Sequence, residues 1–190
     1  MMRGPDLHLR ADGAVAMLCW AALAGVGGAL VTIAFHAGIH GIQWLFAGHS
    51  GAITRVTRDL PWWLRLLAPA VGGLCAGWLL VAARRVSRDA HSDYMEAVAI
   101  GDGKMSVRQG LLRSLSSLCT VATGGSIGRE GAMVHLAALC GSVIGRLLRS
   151  GTAHLRLLVA CGAAAGVSAA YGAPIAGAVF VGEIILGSMS

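Results

Sequence analysis

The chain has 190 residues, of which 56% are hydrophobic and only 13% charged, and its mean hydropathy is +0.70. Such a composition excludes an ordinary soluble domain and predicts an all-α integral membrane protein. The net charge of +6 comes from arginines gathered at segment ends, with no aromatic interleaving and no basic helix face, which leaves solvated loop charge and no nucleic-acid partner.

Residues 1–12 read as a cytoplasmic N-terminus with a short amphipathic stretch, Leu7 to Asp12, and residues 13–190 as the transmembrane region of a single membrane domain. The uncharged run from Gly13 to Thr54 is much longer than the apolar part of a cleaved signal. It predicts a helix over about Ala14 to Trp44, which exceeds a ~30 Å hydrocarbon core and must tilt or protrude. His36 and His40 lie four apart within it; a metal needs further ligands and Gln43 is a poor one, so they read as a polar helix face or interfacial histidines and no metal site is assigned. A loop from Ala47 to Pro61 follows, then a span from Trp62 to Ala83, with Trp62 and Trp63 as interfacial anchors. Arg84, Arg85 and Arg88 mark the opposite, cytoplasmic flank, together with Arg3, Arg10, Arg146, Arg149 and Arg156.

Ser92 or Asp93 is placed to cap a short helix through Ala99, ended by the turn Gly101-Asp102-Gly103. Helices over Val107 to Thr123, Glu130 to Leu148 and Ala153 to Ala170 come next, and a last segment runs from Pro174, after the Tyr171-Gly172-Ala173 break, to Ser190. Several of these pieces are short for a bilayer span. Short, glycine-interrupted apolar segments predict tilted and broken transmembrane helices that meet at a central site. The small-residue pairs Gly73/Gly77, Gly141/Gly145 and Gly162/Gly166 predict close helix packing, and the five cysteines, none in a metal-spaced pair, read as small packing residues.

The break falls at Gly124 to His135, GGSIGREGAMVH. Ser114 to Gly128 and Gly131 to Gly145 carry no charge, so Arg129 and Glu130 stand alone between two apolar runs. Ionisable side chains cost several kcal/mol in mid-membrane and mark a functional site by default. Glycines 124, 125, 128 and 131 turn a straight span into a helix that starts inside the membrane. A helix start leaves backbone N–H groups unpaired, with about half a positive charge, and can hold a small anion. The amides near Arg129, Glu130 and Gly131 are the candidates. The Glu130 carboxylate is itself an anion tethered to that position; it can block it, or swing away when protonated or displaced. The alternative is a structural ion pair or cap, which is weakened because adjacent residues at a helix start point in different directions.

GGSIGREGAMVH resembles the G-[KR]-E-G-P signature of the chloride channel (CLC) family of anion channels and proton-coupled antiporters. Downstream, GAAAGVSAAYGAPIAGAVFVGEI, Gly162 to Ile184, resembles that family's G-A-A-A-G…A-A-F-N-A-P-L-A-G…F-x-x-E stretch. The resemblance covers the first of the family's two inverted repeats, about half a transporter. It implies chloride as the transported ligand with no other cofactor, a multi-pass protein of a bacterial-type inner membrane, and a homodimer whose interface lies near Pro174 to Leu186. It also implies Glu130 as the gating glutamate, with Gly128, Arg129, Glu130 and Gly131 around the outer anion site.

Three departures from the family pattern bear on mechanism. The G-S-G-I-P motif is missing before Met95-Glu96-Ala97, leaving Ser92 as a weak substitute for its serine. Ala132 replaces the signature proline. Glu183-Ile184 stands where antiporters carry a Glu-Glu pair, so Glu183 is the one candidate for an inner proton path, its alternative being a satisfied helix-end carboxylate. Ile184 carries no proton, and this favours a channel-like chloride pathway over a proton-coupled antiporter. His135 reads as a pocket-lining or hydrogen-bonding residue. Ser126, Glu130 and His135 lack a nucleophile elbow or a paired acid, so no enzyme is expected. A truncated, non-transporting membrane fragment is the rival from another class, and the 190 residues alone are expected to be inactive.

Overall fold

The structure is a computed structural model that describes residues 7–48, 50–51, 55–56, 58, 60–86, 94–99, 101–185 and 187. Among these residues the regular elements are all helical: α1 (Leu7–Ala47), α2 (Trp62–Val86), α3 (Tyr94–Ala99), α4 (Val107–Ala122), α5 (Arg129–Leu147), α6 (Thr152–Tyr171) and α7 (Pro174–Phe180), which runs into a π-helical turn, Val181–Ile185. Three helices are long and apolar enough to cross a membrane, over Val15–Leu45, Trp62–Val86 and Thr152–Tyr171.

α1 is one unbroken element of 41 residues, so the segment expected as a separate amphipathic N-terminus belongs to the same helix. At 1.5 Å per residue it runs about 60 Å, roughly twice a bilayer's hydrocarbon thickness. Its buried positions, Ala24, Gly28, Thr32, Phe35, Ile39 and Gln43, recur every three or four residues and form one stripe towards the bundle. Its other faces expose Leu18, Leu30, Ile33 and Leu45, as a lipid-facing helix does. α2 shows the same division, with Leu66, Leu74 and Trp78 exposed. Trp62 and Trp63, the expected interfacial anchors, stand exposed at its first turn.

Small residues decide how closely the helices approach. α5 and α6 share the most extensive interface. A β-carbon on Gly141 would collide with the Leu158 carbonyl, and one on Gly162 with the Ala137 carbonyl. Gly166 likewise lies against the Val134 backbone, whereas Gly145 meets the end of the Leu155 side chain. The third expected pair does not pack this way: a β-carbon on Gly73 or Gly77 would meet nothing within 4 Å. One residue earlier in register, Gly72 lies against Thr123, and the Ala76 carbonyl accepts a hydrogen bond of 2.8 Å from Ser116 Oγ, so this is the face that meets α4. The cysteines divide too. Cys140 packs its sulfur against Gly27, whereas Cys19 and Cys75 are exposed and fill no core space.

The connection before α4 is pinned from two sides. Ser142 Oγ, buried on α5, donates to Gly103 O at 2.8 Å and accepts from Met105 N at 3.1 Å. Arg156 Nε on α6 donates to Gly101 O at 2.7 Å. Within the turn Lys104 Nζ pairs with Asp102 Oδ2 at 2.8 Å, and this partner lowers the Asp102 carboxyl below its ordinary range. Ser106 then caps α4, its hydroxyl accepting from Gln109 N. With its start held in this way, α4 delivers Ala122 to the centre of the bundle.

The C-terminal segment departs from the single run expected over Pro174 to Ser190. Gly172, at φ 65°, closes α6 in the left-handed conformation, Pro174 opens α7, and α7 gives way to the π-helical turn after Phe180. The capping roles expected of Ser92 and Asp93 fall outside the described residues.

Candidate functional site

The glycine cluster breaks the chain where the sequence places the break. Thr123 Oγ1 turns back to Cys119 O at 2.8 Å, and Gly124, at φ 101°, reverses the backbone as only glycine does readily. Gly125 N then donates to Thr120 O at 2.8 Å, which ties the outgoing strand of the loop to α4. α5 starts at Arg129 with Gly128 as its cap (φ −64°, ψ 119°), and no side-chain oxygen caps it. The first-turn amides at Arg129, Glu130 and Gly131 therefore keep the partial positive charge of an open helix start.

Glu130 folds back over that start. A β-carbon on Gly128 would lie 3.0 Å from Glu130 Oε2, so the carboxylate occupies the space that a side chain at the cap would need. Its other oxygen, Oε1, is 3.9 Å from Arg129 Nε. The divergence expected of adjacent side chains is thus incomplete, because the backward turn of Glu130 brings it within reach of its neighbour. The side chains are 52% and 36% exposed, so screening leaves the pair little energetic weight.

Three cavities converge on the first turn of α5. The first, about 370 Å³, is lined by His36, Ile39, His40 and Gln43 of α1, by Gly51 and Val121, and by Gly124 through Glu130. The second, about 420 Å³, is mostly apolar and lies between Glu130, Gly131, Val134, Tyr94 and α6–α7 residues such as Val167 and Phe180. The third, about 270 Å³, is lined by Tyr94, Arg113, Ser114, Ser117, Gly131, Ala132 and His135. Glu130 lines the first and second, and Gly131 the second and third. Of the sequence candidates, Gly128, Arg129, Glu130 and Gly131 come together here, whereas Ser92 lies outside the described residues and Glu183 stands exposed on the π-helical turn. His135 lines a pocket, as expected. It is a different pocket from that of Ser126, so the Ser126, Glu130 and His135 set does not converge on one cavity.

Two contributions were missed in the sequence. His36, His40 and Gln43 form a wall facing Arg129 and Glu130; the i, i+4 spacing of the histidines was the visible signal, and it gives a face but not what the face meets. Tyr94, at the start of α3, lines both cavities that share Gly131. Nothing in its local sequence points there.

The family model for voltage gated chloride channels matches residues 72–190. A ClcB-like protein of Ralstonia nicotianae is 55% identical over 179 residues, covering 92% of this chain and 42% of the relative. The voltage-gated ClC-type chloride channel ClcB of Yersinia pestis is 44% identical over 169 residues (87% of this chain, 41% of the relative), and that of Salmonella typhimurium 40% over 173 residues (89% and 41%). The chain thus spans about two fifths of the length of these curated relatives. No solved structure matches it. With its helices broken at the glycine cluster and the family match running over both motifs, the chain belongs to the voltage gated chloride channel family.

Proposed function

We propose that this chain supplies part of a chloride pathway across a bacterial-type inner membrane, with Glu130 as its gate and a homodimer as the working assembly. The observation that carries the reading is the uncapped start of α5, with the Glu130 carboxylate folded over it between two cavities. Membership of the family and relatives named as chloride channels support chloride as the ligand.

The mechanism follows from competition for one position. A chloride ion approaching the amides of Arg129, Glu130 and Gly131 meets the partial positive charge of the helix start. The tethered carboxylate reaches the same place at a high effective concentration and holds it closed. Protonation removes the charge that draws the carboxylate there, and the side chain yields to the anion. Arg129, half exposed at the rim, adds a full positive charge that raises the local anion concentration. The cleft with the histidine wall includes Gly51, in the connection between α1 and α2, and so opens on the face opposite to Arg84 and Arg85 at the end of α2. Both ends of α2 carry arginines, and we take the face of the cleft as the outer one because the Gly128–Gly131 motif resembles the family's outer anion site.

Conduction without strict proton exchange is the reading favoured by Ile184, which stands where a second glutamate would serve an inner proton path. Its test is a liposome flux measurement on the full-length protein with a chloride gradient and a pH electrode. The expected result is chloride movement that drives no opposing proton movement. Proton uptake in fixed proportion to chloride would overturn the channel reading.

A further inference from the structure

Two histidines take no part in the mechanism above, yet they stand in the cleft with the gate. His36 and His40, one helical turn apart on α1, line the same space as Arg129 and Glu130. The His36 ring is fixed in its tautomer: Nδ1 lies 3.1 Å from Thr32 O. A carbonyl oxygen only accepts, so Nδ1 carries a hydrogen, and Nε2 is the ring atom left to gain or lose a proton. Thr32 is anchored in turn, its buried Oγ1 donating to Gly28 O at 2.9 Å. Phe35 and Ile39, beside the two histidines, are buried in one cluster with Ala132 and Met133 of α5. Core packing, not a loop, therefore sets the place of the ring relative to the start of α5.

Among the described residues, the titratable or charged groups lining this cleft are His36 and His40 from α1 and Arg129 and Glu130 from α5. α4 contributes Val121, the glycine loop contributes Gly124 to Gly128, Ser126 and Ile127 included, the α1–α2 connection contributes Gly51, and α6 contributes no lining residue.

We propose that His36 is the proton-exchange partner of Glu130. The imidazolium Nε2–H gives its proton to a water in the cleft they share, and that water passes a proton on to a Glu130 carboxylate oxygen: the N–H bond breaks, an O–H bond forms on Glu130, the water is regenerated, and His36 is left as the neutral imidazole with its hydrogen on Nδ1. Water entering past His40, which is exposed at the rim, returns a proton to Nε2. The neutral carboxyl loses its attraction for the α5 amides and for Arg129 and moves aside for the anion. The relay rests on the gate reading of Glu130, and imidazole is suited to it because one ring nitrogen keeps its hydrogen on Thr32 O while the other gains and gives up a proton.

The test is chloride flux through the full-length protein in liposomes, at external pH from about 5 to about 8, a range spanning imidazole titration. Wild-type flux is expected to rise on acidification, and His36→Gln to cut that rise by about tenfold or more, as loss of a positioned proton donor does. In Glu130→Gln, which has no carboxylate to protonate, adding His36→Gln is expected to change flux by less than about twofold, so the two effects are not additive. His36→Ala, with its space left open, is expected to regain acid stimulation when free imidazole is added. An unchanged pH profile in His36→Gln, an equal loss in both backgrounds, or no recovery with imidazole overturns the relay alone. Glu130→Gln flux identical to wild type at every pH overturns the gate reading and the relay with it.

Discussion

Gly128 shows how a single missing side chain shapes the site. Its backbone, at φ −64° and ψ 119°, suits any residue, so glycine is not required there by conformation. The absence of a β-carbon matters because Glu130 Oε2 uses the space, 3.0 Å from where that carbon would lie. The obstructing atom is the far end of a flexible side chain, so Gly128→Ala is expected to displace the carboxylate and leave the fold intact. Thermal unfolding in detergent should show a stability change within about 1 kcal/mol, since alanine also restricts the unfolded chain, while chloride flux rises above wild type. Flux at or below the wild-type level would show that the carboxylate does not hold the position closed. Ser142 carries the opposite kind of role. Its hydroxyl serves both Gly103 O and Met105 N in the core. Ser142→Ala leaves two buried backbone groups without their partner and should cost about 1–3 kcal/mol in the same unfolding measurement. A cost near zero would mean that the loop before α4 is held by Arg156 alone.

At the level of elements, glycine spacing carried real information and also its own limit. Gly141/Gly145 and Gly162/Gly166 lie in the α5–α6 interface as the four-residue spacing predicts, while Gly73/Gly77 have the same spacing and face open space. Spacing identifies a smooth helix stripe but not the direction in which a neighbour lies, and on α2 the packed stripe is one residue away, at Gly72 and Ala76. The contrast is measurable. Gly162→Ala forces a β-carbon into the Ala137 backbone and is expected to destabilise by about 1–3 kcal/mol, as overpacking does, whereas Gly73→Ala should be neutral or slightly stabilising. Equal effects of the two would contradict the assigned interface. The same limit explains α1. Its histidines were visible as a polar face, yet only the fold shows that the face meets the start of α5, far away in the chain. The break itself was legible because Gly124, the uncapped helix start and the isolated Arg129-Glu130 pair are all local features.

On the scale of the whole molecule, three long apolar helices surround a pair, α4 and α5, that stops and restarts at the glycine cluster. The long helices expose Leu30, Leu74, Trp78 and many like them, a surface that water does not favour and lipid does. Membranes carrying the protein should retain it in the pellet after alkaline carbonate washing, and release into the supernatant would contradict the spanning assignment. The inward-starting α5 then presents an open helix end, with its partial positive charge, to the clefts that Glu130 lines. Everything in the proposed pathway turns on whether the Glu130 carboxylate competes with the anion for that end. The direct measurement is chloride flux through the full-length protein in liposomes, wild type against Glu130→Gln, at neutral pH. If the carboxylate competes, flux in Glu130→Gln rises severalfold or more and loses most of its stimulation by acid. Flux equal to wild type, with the acid response intact, would contradict that competition.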